Sequence, residues 1–484
     1  MSPHESTGRL GGLLSSIRLR NRWGTPQGYR ELLSLALPLV FSNIAMTIMM
    51  FTDRIFLSRH SIIAIAAALP SGVVLFLIQS VFMGLVTYSG IFAAQYVGAG
   101  RPRRAATALW QGLWLSLALG FAMWALFFVS EGFFRSVGHS PELVAAETVY
   151  FDTLLICVPL GLCMATMSSF LSSLGMTRIV MLVNFVGTGL NIPLDYLLIF
   201  GFDLGFVKVE AMGIFGAAVA TDISWCASTL LFVWCCFNNR MEKAYGTRSM
   251  WRGDWALMRR LVKYGYPSGV QLFLEVFAFT FFAFAVAKLD ELTLAANNMV
   301  FSLENISFFP ILGVGQAVSI MVGQAVGRGA PRDGEKAAVT GIVVSSVYVL
   351  VLLVFFFFFP RFLLGMFIPD GLDPSSAETI LAMGTMMLRF VVLYSFFDGF
   401  YVCCFSVLRG AGDVIFPMLA MGFWGVVGLI LPIIILFAFD AATIYTMWYA
   451  MVFWVVTLTL TVVWRYRTKI WMTKRVIERV EDLV

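Results

Sequence analysis

Phe92–Arg104 reads FAAQYVGAGRPRR, and Val322–Arg332 reads VGQAVGRGAPR. A shift of 229 residues lays Gln95 on Gln324, Gly98 on Gly327, Gly100 on Gly329, Pro102 on Pro331 and Arg103 on Arg332. The same shift, without a gap, brings Pro38 onto Pro267 and Ala66–Ala67 onto Ala295–Ala296. Apolar bias can supply matching alanines, but not matching Gln, Gly, Pro and Arg in one register. The chain is therefore a duplication, and a repeat decides the architecture before any local reading does.

Composition sets the class. Of 484 residues, 60% are hydrophobic and 13% charged, against roughly 45–50% and 25% in soluble domains. A soluble core cannot hide that much apolar surface. Apolar runs of about 20 residues recur along the chain, the length that crosses a bilayer. The seven cysteines (157, 163, 226, 235, 236, 403 and 404) sit in apolar runs without metal-type spacing, so they read as core fillers. The three histidines, at 4, 60 and 139, fall near the start and in connections, and no metal site is expected. The net charge of +5 belongs to membrane-flanking loops and implies no nucleic-acid partner. We expect no secretory leader. Leu10, Leu13, Leu14 and Ile17 instead recur at helical spacing beside Arg9, Arg18 and Arg20, the pattern of a surface-lying amphipathic helix or of a basic tail.

Twelve spans are expected, at about 33–57, 63–93, 105–130, 147–172, 179–201, 212–237, 260–288, 294–325, 337–360, 378–408, 414–439 and 442–465. Lysines and arginines in the connections divide 26 to 6 between the two sides, Arg409 counted in a loop on the heavier side and Arg389 lying inside the tenth span. The heavier side takes the cytoplasm, so both termini are expected there. Six spans separate equivalent points, so the copies cross the membrane in the same sense, a parallel repeat about an axis along the membrane normal. The expected fold is an all-α membrane protein of two six-helix lobes facing a central cleft. The boundaries are an N-terminal tail 1–32, a first lobe 33–237, a basic linker 238–259, a second lobe 260–465 and a tail 466–484. In that tail Ile470, Val476, Ile477, Val480 and Leu483 fall at roughly helical spacing and predict another surface-lying helix.

An ionisable side chain at membrane depth costs roughly 2.5–3.5 kcal/mol, so each one needs a reason. The acidic candidates are Asp53, Asp152, Asp195, Asp222, Glu275, Glu304 and Asp398. Asp152 and Asp222 lie near predicted span ends and read as solvated interfacial carboxylates. Glu304 and Asn305 read equally well as an interhelical hydrogen-bonding pair. Tyr394 and Asp398 are four apart and share a helix face, with Gly399 allowing close approach. Glu275 sits in LFLEVFAFTFFAF among phenylalanines, where desolvation disfavours the charged form. Such a carboxyl can carry a proton or, if other oxygens converge, a sodium ion. Asn191 and Asp195 are again four apart, with Pro193 between them freeing a backbone carbonyl near Gly189. Arg54 points away from Asp53 and reads as a snorkelling interfacial residue, and Arg389 is too far along its helix to reach Asp398. The glycine-rich GAGRP follows a membrane helix rather than a strand and lacks a Lys–Ser/Thr ending, which excludes nucleotide binding. An ion gradient is left as the energy source.

The segments LALPLVFSNIAMTIMMFTDRIFLS (35–58), AIAAALP (64–70), AAQYVGAGR (93–101), LSSLGMTR (171–178), NIPLDYLLIFG (191–201), GAAVAT (216–221) and LRGAGDVIFPM (408–418) together resemble the multidrug and toxic compound extrusion family. The resemblance runs from about residue 30 to 465. It is nearest to the NorM-type branch, in which Glu275, Tyr394 and Asp398 match a cation site of the second lobe. Asp53, Asn191, Asp195 and Thr221 match the first-lobe cation site of other members, including the DinF-type branch. The NorM-type branch is expected to carry an amide at the position of Asp195, so the coupling lobe stays open. Pro38, Pro193 and Pro267 are the expected helix-bending positions. The resemblance implies a secondary active exporter, not an enzyme, that moves organic cations by alternating access. The coupling ion is H+ or Na+, with no cofactor. Membrane lipid is the only other expected partner, the protein a monomer in the plasma (inner) membrane. The rival reading is a flippase for a lipid-linked oligosaccharide or other amphiphile. It calls for cationic residues at the cleft centre, where Arg389 alone qualifies.

Overall fold

The computed structural model describes residues 23–203, 208–368 and 373–478. The amphipathic pattern expected at 10–17 lies outside the described residues. Among the described residues, eleven helices are long and apolar enough to span a membrane, and a bent pair supplies the twelfth. In order the spans are Tyr29–His60, Ile62–Gly98, Pro102–Phe128, Pro141–Ile156 with Val158–Ser173, Thr177–Phe200, Gly213–Cys236, Trp255–Val286, Glu291–Gly327, Pro331–Phe358, Pro374–Ala411, Ile415–Ala438 and Ile444–Arg467. Span 4 bends by 49° at Cys157, just ahead of Pro159, and span 11 widens into a π-turn over Gly425–Ile430. Pro38, Pro193 and Pro267 each lie inside an unbroken helix.

The repeated stretch shows why its residues recur. Gly100 and Gly329 adopt φ of +70° and +76°, a left-handed conformation that glycine enters without a Cβ penalty. Each closes its span: the Arg101 N–H bonds back to Tyr96 O at 2.9 Å, and the Ala330 N–H to Ala325 O at 3.0 Å, the six-to-one bond of a Schellman ending. Pro102 and Pro331 then start the next span at its first position, where a missing N–H costs nothing. Gly175 and Gly412 end spans 4 and 10 in the same way, with φ of +81° and +101°.

Spans 1–6 and 7–12 form two lobes. Span 1 packs on span 8 and span 2 on span 7, which exchange under the repeat. The seam is close enough to need small residues. A Cβ on Gly98 would strike the Gln324 carbonyl, and one on Gly327 would strike the Gln95 carbonyl. A Cβ on Gly84 would lie 2.5 Å from Gly269 Cα. Gln95 Nε2 donates to Gly410 O at 2.9 Å, and Gln324 Nε2 donates to Ser173 O at 2.9 Å. The lobes thus touch from mid-depth, where Asn43 Nδ2 reaches Phe309 O at 3.5 Å, to the face that carries Arg103, Arg178, Arg328 and Arg332, the basic face.

Two expectations change on this face. Residues 470–478 form no surface-lying helix: a single 3-10 turn over Ile470–Thr473 is followed by irregular, bent chain. Trp471, Val476 and Ile477 are buried, because these apolar side chains find protein rather than lipid. Val480 and Leu483 lie outside the described residues. Arg409 is no loop residue; it occupies the last turn of span 10, its Nη2 donating to Thr87 Oγ1 of span 2 at 3.2 Å. The linker packs along span 3. Trp110, Gln111 and Trp114 of span 3 donate to the carbonyls of Thr247, Arg252 and Trp251, and Arg104 pairs with Asp254 at 2.6 Å.

Candidate functional site

In the first lobe, spans 1 and 5 run parallel and meet along a polar stripe at helical spacing. Asn184 donates to Ser42 Oγ, and Thr188 Oγ1 donates to Ala45 O at 3.3 Å. Two turns further, the same register brings the Asp53 carboxyl against that of Asp195, with Asn191 beside it. Asn191 and Asp195 are fully buried. Asp53 Oδ1, both carboxyl oxygens of Asp195 and both side-chain polar atoms of Asn191 lack hydrogen-bond partners. Thr221, buried on neighbouring span 6, has its hydroxyl unpartnered too. Phe56, Tyr196 and Phe200 pack together one turn beyond the carboxyls.

An orphaned buried polar atom costs about 1–3 kcal/mol. Two carboxyls facing each other with no donor between them favour whatever cation or proton enters. Tyr150 of span 4 lies in the electrostatic reach of Asp53, Asp195 and Asp222. Asp222 is buried on span 6 beside Cys157 rather than solvated at an interface, because spans 4 and 6 close over it. Asp152 is half-buried near Ser130, one carboxyl oxygen enclosed without a partner. Arg54 is exposed, as a snorkelling residue should be.

The second lobe builds a different site. Gln271 Nε2 donates to Glu275 Oε2 at 2.7 Å and to the Tyr401 hydroxyl at 3.2 Å. Asp398 of span 10 feels Glu275 of span 7 and Glu304 of span 8 as its nearest like charges. The Tyr394 hydroxyl lies beside Glu304 but short of hydrogen-bond geometry, so Glu304 faces Tyr394 across the helices. Asn297, two turns before Glu304 on the same helix, is buried with both side-chain polar atoms unpartnered. Arg389 is exposed on span 10 and stays out of this cluster. Among the described residues, no three His, Cys, Asp or Glu side chains approach closely enough to hold a metal by themselves.

Gln271 and Tyr401 were not expected from the sequence, although Gln271 stands one helical turn before Glu275, a spacing that signals contact. Glu304 gives no such signal toward Tyr394 and Asp398, since their meeting depends on how spans 8 and 10 cross.

A duplicated twelve-span helical membrane protein with buried carboxyls inside both lobes is, as a class, a transporter and not an enzyme. The chain belongs to the MatE family, whose model matches residues 38–197 and 267–434, two stretches that begin at the repeat-related Pro38 and Pro267. It is therefore a multidrug efflux transporter of that family. It is 30% identical over 422 residues to the probable multidrug resistance protein NorM of Mesorhizobium japonicum, covering 85% of this chain and 88% of that one. It is 27% identical to the multidrug resistance protein PmpM of Pseudomonas aeruginosa, over 82% of each. A solved outward-facing conformation of a multidrug resistance MATE family transporter superposes with a TM-score of 0.81 at 21% identity, over 92% of this chain and 96% of that one. That likeness concerns the fold.

Proposed function

We propose that the protein is a secondary active exporter that exchanges H+ or Na+ for organic, mainly cationic, compounds by alternating access. The observation that carries this reading is the set of buried oxygens around Asp53, Asn191, Asp195 and Thr221 that have no hydrogen-bond donor. A proton or a sodium ion satisfies them, and little else small enough to enter does. The second-lobe cluster of Glu275, Tyr394 and Asp398 is the further coupling candidate; there Gln271 already holds Glu275. The basic face is the cytoplasmic one, on a division of lysine and arginine that stays 25 to 6 once Arg409 is set in span 10, and the bacterial plasma membrane is the setting. Ion entry from outside neutralises the carboxyls and changes the span 1–span 5 contact, and cargo leaves outward. The ion biases the two states only by its differential affinity for them.

Dye efflux from proteoliposomes under separately imposed sodium and pH gradients tests this. Transport driven by one gradient, and lost in Asp195→Asn, is the expected result. A dye that moves with neither gradient would sink the antiport reading. A flippase calls for cationic side chains in the central cleft. Arg389 is exposed on span 10 and Arg409 is engaged with Thr87 in the seam, so export of cations ranks first.

A further inference from the structure

The chain beyond span 12 makes contacts that nothing at the end of the first copy repeats. After Arg467 it turns at Lys469, where φ is 56°, and Trp471 is buried in a stack on Tyr466 with ring centroids 6.0 Å apart. The segment that follows crosses the seam. Val476 and Ile477, 2% and 4% exposed, enter the apolar cluster that the first lobe builds from Tyr88, Phe92 and Tyr96. The Val476 N–H donates to Gln95 Oε1 at 3.0 Å, using the acceptor that Gln95 leaves free while its amide nitrogen holds Gly410. The Tyr96 hydroxyl donates to Glu478 Oε2 at 2.9 Å, and Arg260 pairs with Glu478 Oε1. Arg475 donates to Gly327 O at 3.3 Å. The Val476 side chain lies against Gly412, where a Cβ would sit 2.6 Å from it.

The segment thus leaves the second lobe at span 12, touches spans 7, 8 and 10, and ends inserted in span 2 of the first lobe. We propose that residues 474–478 are a latch that holds the two lobes shut on the basic face and must release before that face opens. Separating span 2 from spans 8 and 10 leaves no arrangement in which Val476 keeps Gln95 and Glu478 keeps both Tyr96 and Arg260. Release also exposes Val476 and Ile477, whose burial therefore favours the closed seam. The tail sets how often the empty transporter turns inward; this assignment rests on the alternating-access reading.

Spin labels report the latch directly. Arg178 and Arg332 are exposed in the first turns of spans 5 and 9, one on each lobe. Both are replaced by labelled cysteine in the full chain, with the native cysteines replaced by serine, and their separation is measured by pulsed electron resonance. Glu478→Lys and, separately, Val476→Asp should raise the population of the long-distance, open-basic-face state about three- to tenfold, the scale of losing one partly buried ion pair or hydrogen bond. The exchange Arg260→Glu with Glu478→Lys should return it toward the parent distribution. Distances unchanged in both single variants overturn the latch, whether or not the protein exports dye. Widened distances in a protein whose dye transport ignores both ion gradients would support the latch while removing the antiport reading.

Discussion

The two lobes share a backbone plan and fill it differently. Under the repeat Asp53 corresponds to Phe282, which is fully buried and meets Trp448 edge-on at 5.5 Å. Phe301 and Tyr394 close around the same indole, at 5.8 Å and 6.1 Å. Glu275 corresponds to Met46, 41% exposed. Near span 10 the register lengthens to 237, which lays Gly175 on Gly412, and Asp398 then corresponds to Gly161, where a Cβ would already sit 3.2 Å from the Trp225 ring. The duplicated seam of Gln and Gly kept its chemistry because both copies must fit each other there. The interiors were free to diverge, and the carboxyls came to lie on spans 1 and 5 of one lobe and on spans 7, 8 and 10 of the other. Neutralising one set therefore changes different helix contacts from neutralising the other. The asymmetry lies in the side chains, not in the fold.

The largest effect should separate the lobes outright. Asp195→Asn removes a carboxyl from the unpartnered pair while keeping its shape, and efflux driven by the ion gradient should fall roughly 100-fold, the upper range of coupling energies, with membrane insertion unchanged. Glu275→Gln and Asp398→Asn, assayed beside it for dye efflux, decide whether the second lobe shares the task. Full efflux in Asp195→Asn with loss in the other two would reverse the assignment.

Stability should run the opposite way. Phe282→Ala opens the aromatic core around Trp448 and should cost about 3–5 kcal/mol, read as a large fall in melting temperature in detergent. Glu275→Leu strips Gln271 of one of its two acceptors and should cost about 1–3 kcal/mol. Asp195→Leu removes two orphaned oxygens and should leave the melting temperature unchanged or raised. Functional sites trade stability for a vacancy that a ligand fills. If Asp195→Leu melts as low as Phe282→Ala, the first-lobe stripe is structural and the contrast between the lobes fails.

Much of this was legible in the chain. The repeat, the twelve spans and the turn chemistry of Gly100 and Pro102 follow from local rules, and so does the pairing of Asn191 with Asp195, four residues apart. What local rules miss is decided by how helices cross. Asp222 reads as interfacial by its distance from a span end, yet span 4 closes over it. Arg409 reads as a loop cation, yet span 2 receives it. The spacing of Ile470, Val476 and Ile477 reads as a face for lipid. An apolar side chain is buried equally well by the other lobe, and periodicity cannot tell the two apart.

The smallest predicted effect concerns a place where the seam itself is unequal. Gln95 and Gln324 make the same cross-lobe bond, but only Gln95 also receives the tail, which Glu478 anchors. Burial raises the Glu478 carboxyl pKa, while hydrogen bonding at its own backbone and from Tyr96, together with the Arg260 guanidinium, outweighs it, so the group ionises below its ordinary value of 4.5. Arg104, Arg260 and Tyr96 are the charged and titratable groups facing it. A depressed carboxyl contributes its stabilisation above the unfolded pKa and loses it as pH falls through the folded one. The anchoring charge is therefore fully present from pH 8 down to about 5.5, and protonation can begin to loosen the tail only below about 4.5. The spin-label distance between positions 178 and 332 should accordingly stay constant over pH 5.5–8 in the absence of cargo. A seam distance that titrates near neutrality in the parent chain but not in Asp195→Asn would show that the first-lobe carboxyls, rather than the tail, govern the basic face.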